Sequence, residues 1–428
     1  MPLLATQRAE KIIARCREIA ACTEVPGETT RTFLAPSMHK VHTLLRGWME
    51  AAGMSVWIDA VGNLRGVYPG NDGPSTESVD RLIMGSHLDT VPNAGAFDGI
   101  LGVVLGVALI EELRGEHLPF AIEIVGFSEE EGVRFGKPYL GSMALAGSLN
   151  GEALQRKDAQ GISVETAIRD FGLDPARFPA AVVSSEAFAY LEVHIEQGPL
   201  LESEDLQLGV VSAIVGQTRM QLRFSGQANH AGTTPMHLRH DAMAAAAEWI
   251  CEVERHAKAI LGLAATVGKV QTRPGAGNVI AGEVLATLDV RHADDEIRRK
   301  AANALLAAAT NSGEVRGVQL SVLASSHEDA VPTDFALSKL LLEAAEAAGS
   351  PARIMPSGAG HDARIVAERV PISMLFLRSP GGLSHHPDES VLPEDVEAAL
   401  ATSLVFVELL KANHVTQAIP QPATEAHA

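Results

Sequence analysis

The chain has 428 residues, 46% of them hydrophobic and 20% charged, a globular composition long enough for two domains with sizeable cores. A net charge of −19 denies a nucleic-acid partner its basic footprint and argues for solubility rather than for any particular substrate. The cysteines, Cys16, Cys22 and Cys251, form no CxxC pair and fit structural thiols in a reducing cytosol.

The N-terminal stretch "MPLLATQRAEKIIARCREIAAC" carries charge throughout its apolar period, so it reads as an amphipathic helix rather than a signal peptide. "MHKVHTLLRGWMEAAG" is a second helix with Gly53 as its stop signal. "MSVWIDAVGNLRGVYPG" reads as paired strands, and "NDGPSTESVD" as a surface loop. "RLIMGSHLD" and "AIEIVGFSEEEG" are apolar runs of strand length, with a Gly-rich helix starting near Asp98 between them. The longest apolar run, Gly99 to Ile110, is too short to span a bilayer. A cytoplasmic protein with no membrane partner is the expectation. Strand, helix, strand with continuously apolar strands predicts an α/β fold, with a mainly parallel sheet and helices on both faces.

From about Gln217 the pattern changes. The strand "TRMQLRFSG", the helix "PMHLRHDAMAAAAEWICEVERHAK", the strands "AATVGKVQTR" and "GEVLATLDVRH", the helix "DDEIRRKAANALLAAATNSG" and the strand "VQLSVLAS" follow in turn. The order βαββαβ is ferredoxin-like. The chain thus predicts an α+β domain at 213–330 inserted into an α/β domain at 1–212 and 331–428. The tail after Ala412 is Pro/Ala/polar and reads as loose.

In open α/β sheets ligands bind beyond the carboxyl ends of strands. Such ends carry His87, Asp89 and Asp98, then "SEEEG", then His194 and Glu196, with His385 and His386 near the C-terminus. A Glu run is usually a solvated face, and a lone His is more often structural than a ligand. Here the run follows an apolar strand, which points to a cleft. His87, Asp98, a Glu of the run, His194 and a C-terminal His offer nitrogen and oxygen donors without a thiolate. That set suits two zinc or manganese ions bridged by one carboxylate. Separations this long are no local signature, so residue types alone leave structural and metal-binding readings both open.

The blocks "GSHLDTVPNAGAFDG", "FSEEEGVRFGKPYLGS", "EVHIEQGPLLE", "GQANHAGTTPMHLRHDA", "GAGNVIAG", "LDVR", "SGAGHDA" and "GGLSHHPDE" resemble, in order, those of the metal-dependent amidohydrolases related to the M20 peptidases. The resemblance runs from about Leu34 to Leu410. It is to the branch containing N-carbamoyl-L-amino acid hydrolases, β-ureidopropionase and allantoate amidohydrolase. Within it, "TRTFLAPSMHKVHTLLRGWMEAAGMSVWIDAVGNLRG", "SEEEGVRFGKPYLGSMALAG" and "MLFLRSPGGLSHHPDE" look most like the allantoate-cleaving members. The resemblance implies a catalytic dinuclear-metal domain and a ferredoxin-like lid that also makes a homodimer.

Residue by residue, the resemblance implies His87, Asp98, Glu131, His194 and His385 as ligands of two Zn2+ or Mn2+ ions, with Asp98 bridging. Glu130 matches the general base and Asp89 the residue that orients His87, with a turn cap as its plain alternative. Strand alternation predicts that the neighbours Glu130 and Glu131 point apart, which keeps the base free of the metal. His230 matches a residue that reaches the partner subunit's site to stabilise an oxyanion, and Gln197, Arg219, Asn278, Arg291 and Gly360 match substrate contacts. For Arg219 and Arg291 the alternative is a solvated strand arginine. Two departures stand out: "NVIAG" replaces the family's Asn-x-Ile-Pro, and His386 follows His385 where relatives have Ser or Asn.

The implied reaction is hydrolysis of a ureido group on a small carboxylate-bearing substrate, with allantoate first. An N-carbamoyl-L-amino acid hydrolase or β-ureidopropionase is the near alternative, and a non-catalytic metal-containing binding protein the remote one. Lid movement would use hinges near Ser212 to Gly216 and Ala330 to Thr333.

Overall fold

The computed structural model describes residues 2–71 and 79–418, so most of the loop "NDGPSTESVD" and the last residues, 419–428, lie outside the described residues. The described strands are β1 (Ser55–Ile58), β2 (Leu64–Tyr68), β3 (Arg81–His87), β4 (Ala121–Phe127), β5 (Ala187–Ile195), β6 (Leu208–Ile214), β7 (Gly216–Ser225), β8 (Ala264–Thr266), β9 (Val270–Arg273), β10 (Glu283–His292), β11 (Gln319–Glu328), β12 (Val331–Pro332), β13 (Ala352–Ser357) and β14 (Ile372–Leu377). Two compact units result: Met1–Ser212 with Thr333–Met355 and His361–Ala428, and Ala213–Pro332 with Pro356–Gly360.

The sheet of the first unit follows the order β1-β2-β4-β3-β5-β14-β6. Its central strands β4, β3, β5 and β14 are parallel. β2 and β6 run antiparallel to them at the flanks. The sheet is therefore mixed, with helices on both sides, and the parallel character expected from the sequence belongs to its centre. The antiparallel flank has a local cause. β1 and β2 form a hairpin whose turn is closed by Asp59 Oδ1, which accepts the N–H groups of Val61 and Asn63, each at 3.0 Å. β3 and β4 are buried along their whole length, as unbroken apolar runs in a doubly covered sheet must be. The helix Ile100–Leu113 between them is buried almost all round and packs on β3, β4 and β5.

The second unit carries an antiparallel sheet in the order β11-β7-β10-β8, with β9 also paired to β10. The helices Ala242–Lys258 and Asp295–Glu314 cover one face through a core that includes Trp249, Phe224, Leu222, Leu288 and Leu305. β10 alternates buried and half-buried side chains down its length, so its other face is left open. This is the ferredoxin-like βαββαβ order. The segment Pro356–Gly360 joins this unit, although it lies beyond 330 in sequence, because Arg291 Nη1 donates to the carbonyl of Gly358 at 2.8 Å and Val215 N–H to that of Ser357 at 3.0 Å.

One expectation is corrected. The helix Pro393–Ala418 continues past Ala412, where composition reads as loose. No breaker occurs before Pro420, and His414 docks with Nε2 3.0 Å from Asp80 Oδ2 and its ring 5.7 Å from that of Phe120. Among the described residues, no helix is long and apolar enough to cross a membrane.

Candidate active site

β3 ends on His87, and the following helix begins at Ile100. Gly99 sits at the junction with φ of 70°, and a Cβ there would overlap the His87 ring. Only glycine meets both conditions, the left-handed backbone and the close approach. The Gly-rich start thus seats the helix against the imidazole.

Asp98 is the centre of the cluster. His87 Nε2 lies 3.6 Å and His194 Nε2 3.2 Å from its Oδ1, and His385 Nε2 lies 3.2 Å from its Oδ2 and 3.6 Å from Glu131 Oε1. Donor atoms of His87, Asp98 and His194 fall within 4.8 Å of one another, as do those of Asp98, Glu131 and His385, and those of His87, Glu130 and Glu131. The other ring nitrogens are tied to backbone carbonyls: His87 Nδ1 to Asp89 at 3.0 Å and His194 Nδ1 to Ile195 at 2.9 Å. A carbonyl can only accept, so each Nδ1 carries a proton and each Nε2 points at Asp98. Gln197 donates Nε2–H to both Asp98 oxygens, at 3.3 and 3.2 Å, and to Ser384 Oγ at 3.2 Å. Gln197 and His385 hold left-handed backbones, φ of 60° and 55°, which non-glycine residues adopt at a cost. His386 turns away, exposed, with Nδ1 accepting Asp388 N–H at 3.2 Å.

Asp89 orients His87 mainly through its main-chain carbonyl; its carboxylate lies 3.6 Å from the ring and accepts the N–H groups of Glu130 at 2.9 Å and Glu131 at 3.1 Å. Those N–H groups are available because the chain has left the sheet. β4 ends at Phe127 and the glutamates occupy bends beyond it. Strand alternation therefore does not separate Glu130 from Glu131, and both bring an oxygen to His87. Glu129 instead closes the turn, its Oε1 accepting Gly132 N–H at 2.5 Å.

Burial pushes the Glu130 carboxyl well above its usual range; His87 opposes this, and Glu131, Asp362 and Asp89 reinforce it. Burial likewise raises Glu131 to about 7, against His87 and with Asp98 and Asp89 adding. Burial also works against the ionised Asp98, yet contacts with His194, His385 and His87 hold it well below the carboxylate range. So many buried acids ionise together only if positive charge lies among them. The donors fit a divalent cation: all are imidazole nitrogen or carboxylate oxygen, and His194 Nε2 is buried without a hydrogen-bond partner.

Several residues of the cluster escape a motif reading. Arg31, fully buried, donates Nε–H to Leu88 O at 3.0 Å and so braces the segment between His87 and Asp89. Glu192 accepts from Ser86 Oγ at 3.3 Å, Tyr190 Oη at 3.1 Å and Ala363 N at 2.9 Å. The His361 ring meets that of His194 edge-on at 4.6 Å, and Glu389 caps Asp98 from the far side. The available signals were polar residues at alternate positions in the buried β5, Tyr190, Glu192 and His194, and the acidic ends of "GHD" and "HHPDE".

The second unit holds the remaining candidates. His230 lies in an exposed loop, its Nδ1 accepting the N–H groups of Gly232 at 3.0 Å and Thr233 at 3.1 Å. Two donors on Nδ1 place the ring proton on Nε2. Asn278 accepts Ala231 N–H through its main-chain oxygen at 3.0 Å. On the open sheet face, Arg291 forks Asp289 with Nε and Nη2 at 3.0 and 2.9 Å, and Arg219 Nε adds a third bond at 3.1 Å. These residues line a cavity of about 750 Å³. Gly360 ends the segment held by Arg291.

Residues 83–409 match the sequence profile of peptidase family M20/M25/M40. The chain is similar to the allantoate deiminase of Arabidopsis thaliana, 37% identical over 93% of this chain and 82% of that one. It is similar to the N-carbamoyl-L-amino acid amidohydrolase of Geobacillus stearothermophilus, 38% identical over 91% of this chain and 95% of the other. Among solved structures it is similar to a hydantoinase/carbamoylase family amidase from Burkholderia multivorans, with a TM-score of 0.88, 32% identity, and 94% and 98% of the two chains covered.

Proposed function

The chain belongs to peptidase family M20/M25/M40, and from that premise we propose that it hydrolyses the ureido C–N bond of allantoate to ureidoglycine, ammonia and carbon dioxide. The observation that carries the reading is the cluster of buried His87, Asp98, Glu130 and His194 with half-buried Glu131 and exposed His385, in a chain similar over 93% of its length to an allantoate deiminase.

His87, Asp98 and His194 would hold one divalent cation, zinc or manganese, and Asp98, Glu131 and His385 a second, with Asp98 common to both. When bound, such a pair supplies Lewis acidity that polarises the ureido carbonyl and acidifies water. Glu130 is the proton acceptor. Its buried carboxylate, raised well above the usual range, takes a proton from the attacking water and returns it to the departing nitrogen. Asp89 holds Glu130 and Glu131 by their N–H groups, which keeps the base at a fixed distance from His87.

In this reading the second unit is a lid and dimerisation domain, hinged near Ser212 to Gly216 and Ala330 to Thr333. His230 offers its Nε2–H to the oxyanion in the partner's site. The tautomer set by Gly232 and Thr233 supports this role, as do the exposed Met236 and Leu238 in the same loop. Arg291 binds the substrate carboxylate while Asp289 holds its guanidinium in a fixed orientation, and Arg219, Asn278, Gly360 and Gln197 complete the contacts. The free cysteines Cys16, Cys22 and Cys251 support a cytoplasmic setting.

A second reading, N-carbamoyl-L-amino acid hydrolysis, is favoured by the Geobacillus stearothermophilus relative, 38% identical beside 37% for the allantoate deiminase. Ammonia release separates the two, measured side by side on allantoate, N-carbamoyl-L-amino acids and N-carbamoyl-β-alanine with added manganese or zinc. Allantoate is expected to turn over fastest. Brisk turnover of a carbamoyl amino acid with none of allantoate reverses the assignment.

A further inference from the structure

Glu389 lies four residues beyond His385, is buried, and has no role in the reaction as proposed. Its Oε1 accepts two backbone N–H groups, Phe97 at 3.0 Å and Asp98 at 3.1 Å. Its own N–H donates to the carbonyl of His386 at 3.0 Å. One side chain therefore joins the segment that carries Asp98 to the segment that carries His385, across 291 positions of sequence.

The surroundings are shaped for this contact. Phe97 and Asp98 precede the helix at Ile100, and both are buried, so their N–H groups need an acceptor that water does not supply. Gly95 leaves the space, since a Cβ there would overlap the Glu389 side chain from Cβ to carboxylate. A buried carboxylate 3.1 Å from the main chain of another buried acid is an expensive way to satisfy two amides unless the join itself matters.

We propose that Glu389 is a positioning residue, a latch that sets the separation of Asp98 and His385 by binding the Asp98 segment through the N–H groups of Phe97 and Asp98. The latch rests on the reading of Asp98 and His385 as cation ligands. Positioning partners of this kind act on cation affinity as well as on turnover.

The test measures binding of Zn2+ and Mn2+ to the full chain by competition with a chromophoric chelator, alongside melting of each chelator-stripped protein. Glu389→Ala is expected to weaken cation binding about 10–100-fold. Glu389→Gln should stay within about threefold of the parent, because the amide oxygen can accept the same two N–H groups. Gly95→Ala should weaken binding as Glu389→Ala does, with the carboxylate still present. If Glu389→Gln binds as weakly as Glu389→Ala, the carboxylate acts by charge and the latch is overturned. It is equally overturned if Glu389→Ala and Gly95→Ala melt lower yet bind cations like the parent, since that is a purely structural role. Should Glu389→Ala not fold, Glu389→Gln and Gly95→Ala decide the matter in the same directions. A parent protein that binds neither cation overturns the ligand reading and the latch together; a parent that binds with unaltered variants overturns the latch alone.

Discussion

The carboxylate of Asp89 accepts the backbone N–H of Glu130 at 2.9 Å, while the carbonyl of the same residue holds His87 Nδ1 at 3.0 Å. One buried side chain and its own main chain thus couple the end of β3 to the bends after β4. The base and the first imidazole are held in a common frame, so substitutions at this junction should affect both.

Asp89→Asn tests that frame. The two N–H groups of Glu130 and Glu131 go to different oxygens of Asp89, and an amide would turn an NH2 donor toward one of them. An unmade buried hydrogen bond costs about 1–3 kcal/mol. The melting temperature should fall, and bound cation after gel filtration should fall with it. An unchanged melt and cation content would count against the coupling.

Glu130→Gln should retain its cations and lose roughly 10²–10⁴-fold in kcat, the range for a general acid–base group. Cation content by elemental analysis and steady-state ammonia release give the two readings. Near-parental turnover would remove Glu130 from the role of base.

His230→Ala should lower kcat by roughly 10²–10³-fold, as expected for one oxyanion donor, with cation content unaltered. Mixing His230→Ala subunits with Glu130→Gln subunits should restore part of the activity, because one site of each mixed dimer would then have both groups. Absence of rescue in demonstrated mixed dimers would mean that the sites are not shared.

The stability of the chelator-stripped protein should fall as pH rises. Burial, opposed by His87 and reinforced by Asp98, lifts Glu131 from 4.5 to about 7. Burial and Asp98 lift Glu389 from 4.5 to about 7. A carboxyl whose folded-state pKa is raised favours folding while it stays protonated, and that contribution is lost as pH climbs from its unfolded value through its folded one. The window here is about pH 4.5 to 7. His87 and His194 add the same sign at higher pH: burial disfavours their charged forms, but contact with Asp89 and Asp98 raises His87 and contact with Asp98 raises His194. Zinc or manganese should reverse the loss, so the cation-induced rise in melting temperature should grow across this window. A rise that shrinks from pH 5 to pH 7.5 would contradict the assignment of these carboxylates.

The sequence alone determined the element pattern and the chemistry of the donor set. Unbroken apolar runs become β3 and β4, and alternation along "GEVLATLDVRH" becomes the half-buried β10. Such periods are local, because a side chain's face follows from its position along its own element. Donor type is local too: His87, Asp98, Glu131, His194 and His385 carry their nitrogen and oxygen wherever the chain places them. Tertiary structure alone decided what each donor leans on. Whether Glu130 and Glu131 diverge depends on where β4 stops, and it stops at Phe127, ahead of both. Whether Asp89 grips the imidazole by carboxylate or carbonyl depends on amides 41 positions away that the sheet has left unpaired. Glu389 meets Asp98 across 291 positions, and Pro356–Gly360 joins the second unit through Arg291. No period encodes such pairings, because they are set by which buried backbone groups remain without a partner once the sheets have formed.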